Sequence, residues 1–147
     1  MSPVFLLGGG SSSAGARLPV VTGGTLTSDA TYYYRTFLSS SNLVVTEAPL
    51  VGAEALIIGG GGGGGTSGAG AGTVLFASAA TINVNTYSVV VGPGGTPSYR
   101  TSPNTTVGTN GTASSFNGST APGGARGADV LSGFIDMNGY AGGGSGS

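Results

Sequence analysis

Five carboxylates are the side chains of this sequence best suited to acid–base or metal chemistry, and they lie at Asp29, Glu47, Glu54, Asp129 and Asp136. Glu47 and Glu54 flank a turn at Pro49, so a hairpin there would bring them toward the separation that glycosidases use. Glycan cleavage also needs a substrate groove, usually lined by aromatic side chains, and the sequence contains no Trp. We therefore interpret both glutamates as solvated strand residues and predict no catalytic residue and no enzyme.

Metal and phosphate chemistry find little support in the residue types. Asp129, Asp136 and Asn138 form a local group of oxygen ligands of the kind that Ca²⁺ prefers, but without EF-hand spacing. The chain has no Cys and no His, which removes thiolate nucleophiles, the commonest general base and the usual zinc ligands. Phosphate binding by a glycine run would need a Lys or a following helix N-terminus, and neither is found. We predict no metal and no cofactor.

The charge balance excludes further classes of protein. Four arginines are the only basic side chains and the net charge is −1, whereas nucleic-acid-binding proteins carry many cations. No apolar run reaches the length of a membrane span, so we expect neither a nucleic acid nor a membrane as partner. The chain is nevertheless 38% hydrophobic with 6% charged residues, unlike a disordered chain. This composition is typical of a protein held within a larger assembly.

The hydrophobic pattern predicts an all-β protein, because β-branched and small residues alternate and no helical repeat occurs. We expect a small β-sandwich or jelly-roll with glycine-rich extended loops and an N-terminal arm. Residues 1–30 would form a docking arm and Gly/Ser leash, residues 31–141 the β domain, and residues 142–147 a flexible tail. Strands are predicted over 31–38, 42–47, 53–58, 73–76, 82–91, 114–117 and 130–137, and the dipeptides Asn110-Gly111 and Asn117-Gly118 are predicted to be hairpin turns.

Seven consecutive glycines are the most distinctive segment, and they are Gly59, Gly60, Gly61, Gly62, Gly63, Gly64 and Gly65. Such a run has no side chains to pack, so one interpretation is a flexible loop. The other is an ordered lattice in which the run is extended, like polyproline II, and its backbone bonds to neighbouring segments. The second interpretation predicts close backbone approach at these glycines.

Two apolar groups are candidates for contact with other proteins. Phe5, Leu6 and Leu7 precede a Gly/Ser stretch, and we interpret them as a docking element on a flexible leash. Tyr32, Tyr33 and Tyr34 are adjacent on a predicted strand, so they alternate between its two faces. They either pack within the protein or its subunit contacts, or form an exposed patch that contacts a protein or stacks on a sugar.

The order of the central motifs resembles a known family. An apolar strand, Ala53–Ile58, runs into the glycine run; a second strand closes in Val89-Val-Val-Gly-Pro-Gly-Gly95; and Thr109-Asn-Gly-Thr-Ala-Ser-Ser-Phe-Asn117 precedes Ala121-Pro-Gly-Gly-Ala-Arg-Gly127. This order resembles the glycine-rich domain of tail fibres and other virion proteins of tailed bacteriophages, over about residues 40–127. The sequence has neither shaft repeats nor coiled-coil heptads, so this chain would dock on something else.

The resemblance implies an all-β, non-enzymatic component of the outer virion surface, commonly trimeric. The expected partners are further copies of the chain in a homotrimer and a larger virion protein, such as the major capsid protein or a tail protein. The chain would then be a capsid decoration or a short tail-fibre or tip component. The alternative is a carbohydrate-binding module whose loops around residues 96–120 contact glycans of a host surface.

Overall fold

A computed structural model describes residues 17–65, 67–101, 104–131 and 134–136 of the protein. These residues form thirteen β-strands and no helix, so none has the length or hydropathy of a transmembrane helix. The predicted all-β class is confirmed. The strands are β1 (Val20–Thr22), β2 (Thr25–Ser28), β3 (Tyr33–Thr36), β4 (Ser41–Thr46), β5 (Leu50–Ile58), β6 (Val74–Ile82), β7 (Asn85–Val90), β8 (Tyr99–Thr101), β9 (Asn104–Thr106), β10 (Ser114–Phe116), β11 (Ser119–Ala121), β12 (Asp129–Leu131) and β13 (Phe134–Asp136).

The largest unit is an antiparallel sheet of five strands in the order β1-β4-β7-β10-β11. Its last two strands join through Asn117 and Gly118, whose φ angles are 47° and 82°. Positive φ at both positions is the conformation of the tight hairpin turns that favour Asn-Gly. The turn predicted at Asn117-Gly118 is therefore confirmed. The remaining strands form four two-stranded hairpins, β2–β3, β5–β6, β8–β9 and β12–β13.

The hydrophobic core lies between this sheet and the base of the β5–β6 hairpin. Leu43 and Val45 lie two residues apart on β4 and point to the same face, where Val89 of β7 joins them. Ile82 closes the core from β6. At the side of the core, the rings of Tyr87 and Phe116 meet edge to face with centroids 5.9 Å apart. Two packed layers of strands result.

The far half of the β5–β6 hairpin exposes large apolar side chains. Leu56 lies opposite Phe76, and Ile58 lies opposite Val74, so the four share one side of the hairpin. Leu56 and Phe76 are 61% and 62% exposed, while Ile57, on the other side, is 8% exposed. Apolar side chains on both faces at the end of this strand predict burial on both sides, and that prediction is wrong. We call Leu56, Ile58, Val74 and Phe76 the apolar face of the hairpin.

One predicted strand boundary is also wrong. The strand expected over 82–91 is two strands, because Ile82 ends β6 and the chain turns at Asn83 and Val84 before β7. The apolar alternation continues through this turn, so it does not mark the break. In addition, Glu47 and Glu54 do not flank a hairpin: β4 pairs with β1 and β7, whereas β5 pairs with β6.

We predict that Leu43→Ala lowers the free energy of unfolding by about 2–5 kcal/mol, because it leaves a cavity in the core. Leu38→Ala is the matched control, since Leu38 is 90% exposed and Leu43 is 7% exposed. The control should change the free energy by less than about 0.5 kcal/mol. Urea unfolding of both variants tests this, and equal effects would place the core elsewhere.

Candidate functional site

The glycine run is the centre of an ordered bundle of extended backbone segments. Residues 59–65 form the central segment, and residues 67–73, 92–98, 109–112 and 122–128 lie around it. We call these five segments the glycine bundle. Within it the backbone, rather than side chains, makes the contacts between neighbours. Of the two interpretations of the glycine run, the structure therefore has the ordered lattice and not the flexible loop.

The amides of the central segment find partners in a repeat of three residues. Gly59, Gly62 and Gly65 donate to segment 67–73, at the carbonyls of Thr73, Gly70 and Ser67, over 2.9, 2.9 and 3.0 Å. Gly60 and Gly63 donate to segment 109–112, at the carbonyls of Thr112 and Thr109, over 2.9 Å each. Three residues per turn is the repeat of a polyproline II helix, which has no internal hydrogen bonds. The central segment therefore bonds entirely to its neighbours.

The carbonyls of the central segment follow the same repeat. Those of Gly60 and Gly63 accept from Gly124 and Gly127 over 2.8 and 2.9 Å, and those of Gly61 and Gly64 accept from Gly95 and Ser98 over 2.8 Å each. The outer segments also bond to one another, for example from Thr73 to Pro122 at 2.9 Å and from Thr112 to Pro93 at 3.0 Å. Buried backbone groups are thus satisfied without a β-ladder.

Packing between neighbouring backbones explains why four of the central residues must be glycine. A Cβ atom built on Gly63 would lie 1.8 Å from the carbonyl oxygen of Thr96. The corresponding distances for Gly59, Gly60 and Gly62 are 2.0, 2.2 and 2.0 Å, each to a backbone oxygen. By contrast, a Cβ on Gly61 comes no closer than 3.9 Å to another atom, and one on Gly64 meets nothing within 4 Å. Close backbone approach therefore involves two sides of the central segment and leaves the third open.

Polar side chains of the region 96–120 support the bundle. The hydroxyl of Thr109 accepts from the amide of Thr96 at 2.8 Å, and the side-chain oxygen of Asn110 accepts from the amide of Arg126 at 2.9 Å. Asn110 and Gly111 consequently lie within an extended segment, and the hairpin turn predicted there is wrong. The buried hydroxyl of Ser114 accepts from the amide of Gly92 at 2.9 Å, which ties the bundle to the sheet.

We predict that Gly63→Ala lowers the free energy of unfolding by about 3 kcal/mol, because its methyl group collides with a backbone carbonyl that cannot move aside. Gly68→Ala is the control, since a Cβ there meets nothing within 4 Å. The control should be neutral or raise the free energy by about 0.4–1 kcal/mol through the unfolded chain. Urea unfolding measures both variants, and a neutral Gly63→Ala would contradict the packing of the bundle.

The three tyrosines lie on the separate β2–β3 hairpin and are 44–53% exposed. The rings of Tyr32 and Tyr34 are 6.2 Å apart between centroids, at 51°. Arg35, on the same strand, donates to the backbone carbonyls of Val21 and Gly23, and so fastens this hairpin to β1. The tyrosines therefore form no part of the chain's own core. Their exposure argues against packing within the chain, while subunit contact and an exposed contact patch both stay predictions.

Asp29 organises this aromatic patch. One carboxylate oxygen accepts from the amides of Thr31 and Tyr32 at 2.7 Å each, and the other accepts from the hydroxyl of Tyr34 at 2.6 Å. The Tyr34 hydrogen bond, followed by the two amides, lowers the pKa of Asp29, and the same bond raises the pKa of Tyr34. Sequence reasoning missed this role. The signal that would have shown it is an Asp shortly before a strand, because its carboxylate can accept hydrogen bonds from the backbone amides of the residues that follow it.

We predict that the carboxyl pKa of Asp29 lies below its ordinary value of about 3.9 and that Tyr34→Phe raises it. Because the folded-state pKa is the lower one, the stabilisation from Asp29 is complete above the ordinary pKa and is lost as the pH falls through the folded-state value. Carboxyl ¹³C shifts recorded against pH measure it. Tyr32→Phe is the control and should leave this pKa unchanged, since only its backbone amide bonds to Asp29. An equal response to both substitutions would contradict this account.

The other candidate residues are not assembled into one site. Phe5, Leu6 and Leu7 lie outside the described residues. Glu47 forms an exposed ion pair with Arg17. Asp129 and Asp136 are direct partners across the β12–β13 hairpin, while Asn138 is outside the described residues. Within the described ranges, no group of three acidic, His or Cys side chains is arranged to hold a metal ion.

Comparison with known proteins identifies a family over the part of the chain that contains the glycine bundle. The family model described as a glycine-rich domain matches residues 39–147, which include the whole bundle. The chain belongs to the glycine-rich domain family. No curated protein and no solved structure matches the chain. The glycine-rich domain begins just before β4, so the tyrosine hairpin and β1 precede it.

Proposed function

We propose that the protein is a non-enzymatic structural component on the outer surface of a tailed-phage virion. It would dock on a larger virion protein as a capsid decoration or a short tail-fibre or tip component, with copies joined in a homotrimer. Membership of the glycine-rich domain family and the order of the glycine-rich motifs support this proposal. The observation that carries it is that the two ends of the glycine bundle connect to different parts of the fold.

The two ends of the glycine bundle differ. At one end, near Gly59, the segments continue into the strands of the hydrophobic core, through Ile58, Val74 and Ala121. At the other end, near Gly64, segment 92–98 continues into the β8–β9 hairpin and segment 122–128 into the β12–β13 hairpin. The seven-residue central segment spans about 20 Å at the rise of a polyproline II helix. The bundle therefore holds two hairpins at a distance from the sheet, an arrangement suited to display.

The apolar face of the β5–β6 hairpin supports self-association. Its four side chains carry no charge and are 48–62% exposed, in two pairs of cross-strand neighbours. Burial of such a surface contributes about 25 cal/mol per Å² of apolar area removed from water. We assign it to contact between copies of this chain in the homotrimer, because an uncharged apolar face can meet its own copies without placing like charges together.

We predict that an antibody to this chain, coupled to gold, labels intact phage particles in electron micrographs. Label over the heads would make the protein a capsid decoration, and label at the tails would make it a fibre or tip component. Particles of a phage that lacks the gene are the control for non-specific label. Complete absence of label from particles that carry the gene would refute the virion proposal.

A second candidate function, adhesion to host glycans, is favoured by the exposed ring pair of Tyr32 and Tyr34 beside the Asp29 carboxylate. Aromatic faces stack on sugar rings, and a fixed carboxylate accepts hydrogen bonds from their hydroxyls. Alanine at both tyrosines separates the two functions. Loss of glycan binding with assembly intact would support the adhesion function. If the unaltered protein binds no glycan, the adhesion function is refuted.

A further inference from the structure

Asn-Gly dipeptides are the places in this chain most open to spontaneous chemical change, and three occur, at Asn110, Asn117 and Asn138. A glycine after asparagine leaves the intervening backbone amide unshielded, so its nitrogen can attack the side-chain carbonyl carbon of the asparagine. Asn138 lies outside the described residues, as does the predicted flexible tail over 142–147. The other two asparagines are both exposed, but the fold holds them in different ways.

Asn110 is held on two sides by the glycine bundle. Its side-chain oxygen accepts from the amide of Arg126 at 2.9 Å, and the amide of Gly111, whose nitrogen would attack, donates to the carbonyl of Gly124 at 2.9 Å. A Cβ on Gly111 would lie 2.0 Å from the carbonyl oxygen of Gly60, so this backbone has no room to turn. Attack at Asn110 therefore requires the bundle to open first.

Asn117 is held by far less. With Gly118 it forms the exposed two-residue turn between β10 and β11. Within the described ranges, neither its side chain nor the amide of Gly118 has a hydrogen-bond partner, and a Cβ on Gly118 meets nothing within 4 Å. Rotation of Asn117 out of its left-handed conformation disturbs only the terminal pair of the hairpin, Phe116 with Ser119. Such fraying is the least costly form of local opening.

We propose that Asn117 is a site of spontaneous deamidation in the folded protein, and that the glycine bundle protects Asn110 from the same reaction. Solvent hydroxide removes the proton of the Gly118 amide, and its nitrogen forms a bond to the side-chain carbonyl carbon of Asn117. The C–N bond of the side-chain amide breaks, and its nitrogen takes a proton from water and leaves as ammonia. Water then opens the five-membered succinimide ring at either carbonyl, which gives aspartate or isoaspartate.

The products change the connection between the sheet and the bundle. Both add a negative charge to a chain whose net charge is −1. Isoaspartate also adds a methylene group to the backbone of a two-residue turn, which then no longer matches the pairing of Phe116 with Ser119. Because β11 leads directly into segment 122–128, the modification falls beside the entry of that segment into the bundle. This inference does not depend on the proposed virion function.

Peptide mapping by mass spectrometry, on the full chain aged in a mildly alkaline buffer, tests the proposal. Chymotryptic cleavage after Phe116 separates the two sites, and conversion of an amide to an acid changes the peptide mass. In the folded protein Asn117 should convert at least about tenfold faster than Asn110. In concentrated urea the two rates should come within about threefold of each other, because glycine follows both asparagines. Equal rates in the folded protein, or faster conversion of Asn110, would overturn the proposal.

Two matched variants supply an independent measurement, each in a background that carries Asn138→Gln. Glutamine would have to form a larger ring and reacts more slowly. Asn117→Gln should remove the acidic species that the aged, folded protein shows on ion-exchange chromatography, whereas Asn110→Gln should leave its amount unchanged. Persistence of that species in Asn117→Gln would overturn the proposal. If Asn117→Gln does not fold, the site-resolved rates of the unaltered chain decide the question alone.

Discussion

The structure depends on a hydrogen-bond repeat of three residues between extended backbones. A polyproline II helix satisfies none of its own amides, so the central segment is stable only because four neighbours accept from its N–H groups or donate to its carbonyls. Each bond contributes about 0.5–1.5 kcal/mol, and ordering glycine costs more conformational entropy than ordering any other residue. The bundle must therefore form cooperatively, with all its segments in place, and its connection to the packed sheet supplies the fixed starting points.

Those starting points come from conventional packing. Leu43, Val45, Ile82 and Val89 bury a small apolar core. Three strands of the large sheet, β7, β10 and β11, and both strands of the β5–β6 hairpin continue directly into the bundle. The core thus fixes the register in which the glycine segments meet. The bundle extends that register farther than side-chain packing reaches in so small a chain. Core and bundle are two parts of one folding unit joined by continuous backbone.

The sequence predicted the all-β class, several strands and the Asn117-Gly118 turn, because these follow from local alternation and turn chemistry. It did not decide between a flexible loop and an ordered lattice for the glycine run, since glycine has no side chain whose pattern could indicate a neighbouring segment. The distinction between Gly63 and Gly64 illustrates the limit: both have the same neighbours in sequence, but only one lies against a backbone carbonyl. The exposure of Leu56 and Phe76 was equally hidden, because alternation shows that two faces differ and not which of them is covered.

The contacts of the glycine bundle involve backbone atoms almost throughout, and this has a consequence for how the protein can vary. A side chain that points away from the bundle takes no part in its bonding, so residues of the outer segments can be exchanged without altering the lattice. The backbone of segments 92–98 and 122–128 continues from this lattice into the hairpins at the far end. Outward-facing positions of the bundle can therefore acquire new surface chemistry one substitution at a time while the fold stays constant.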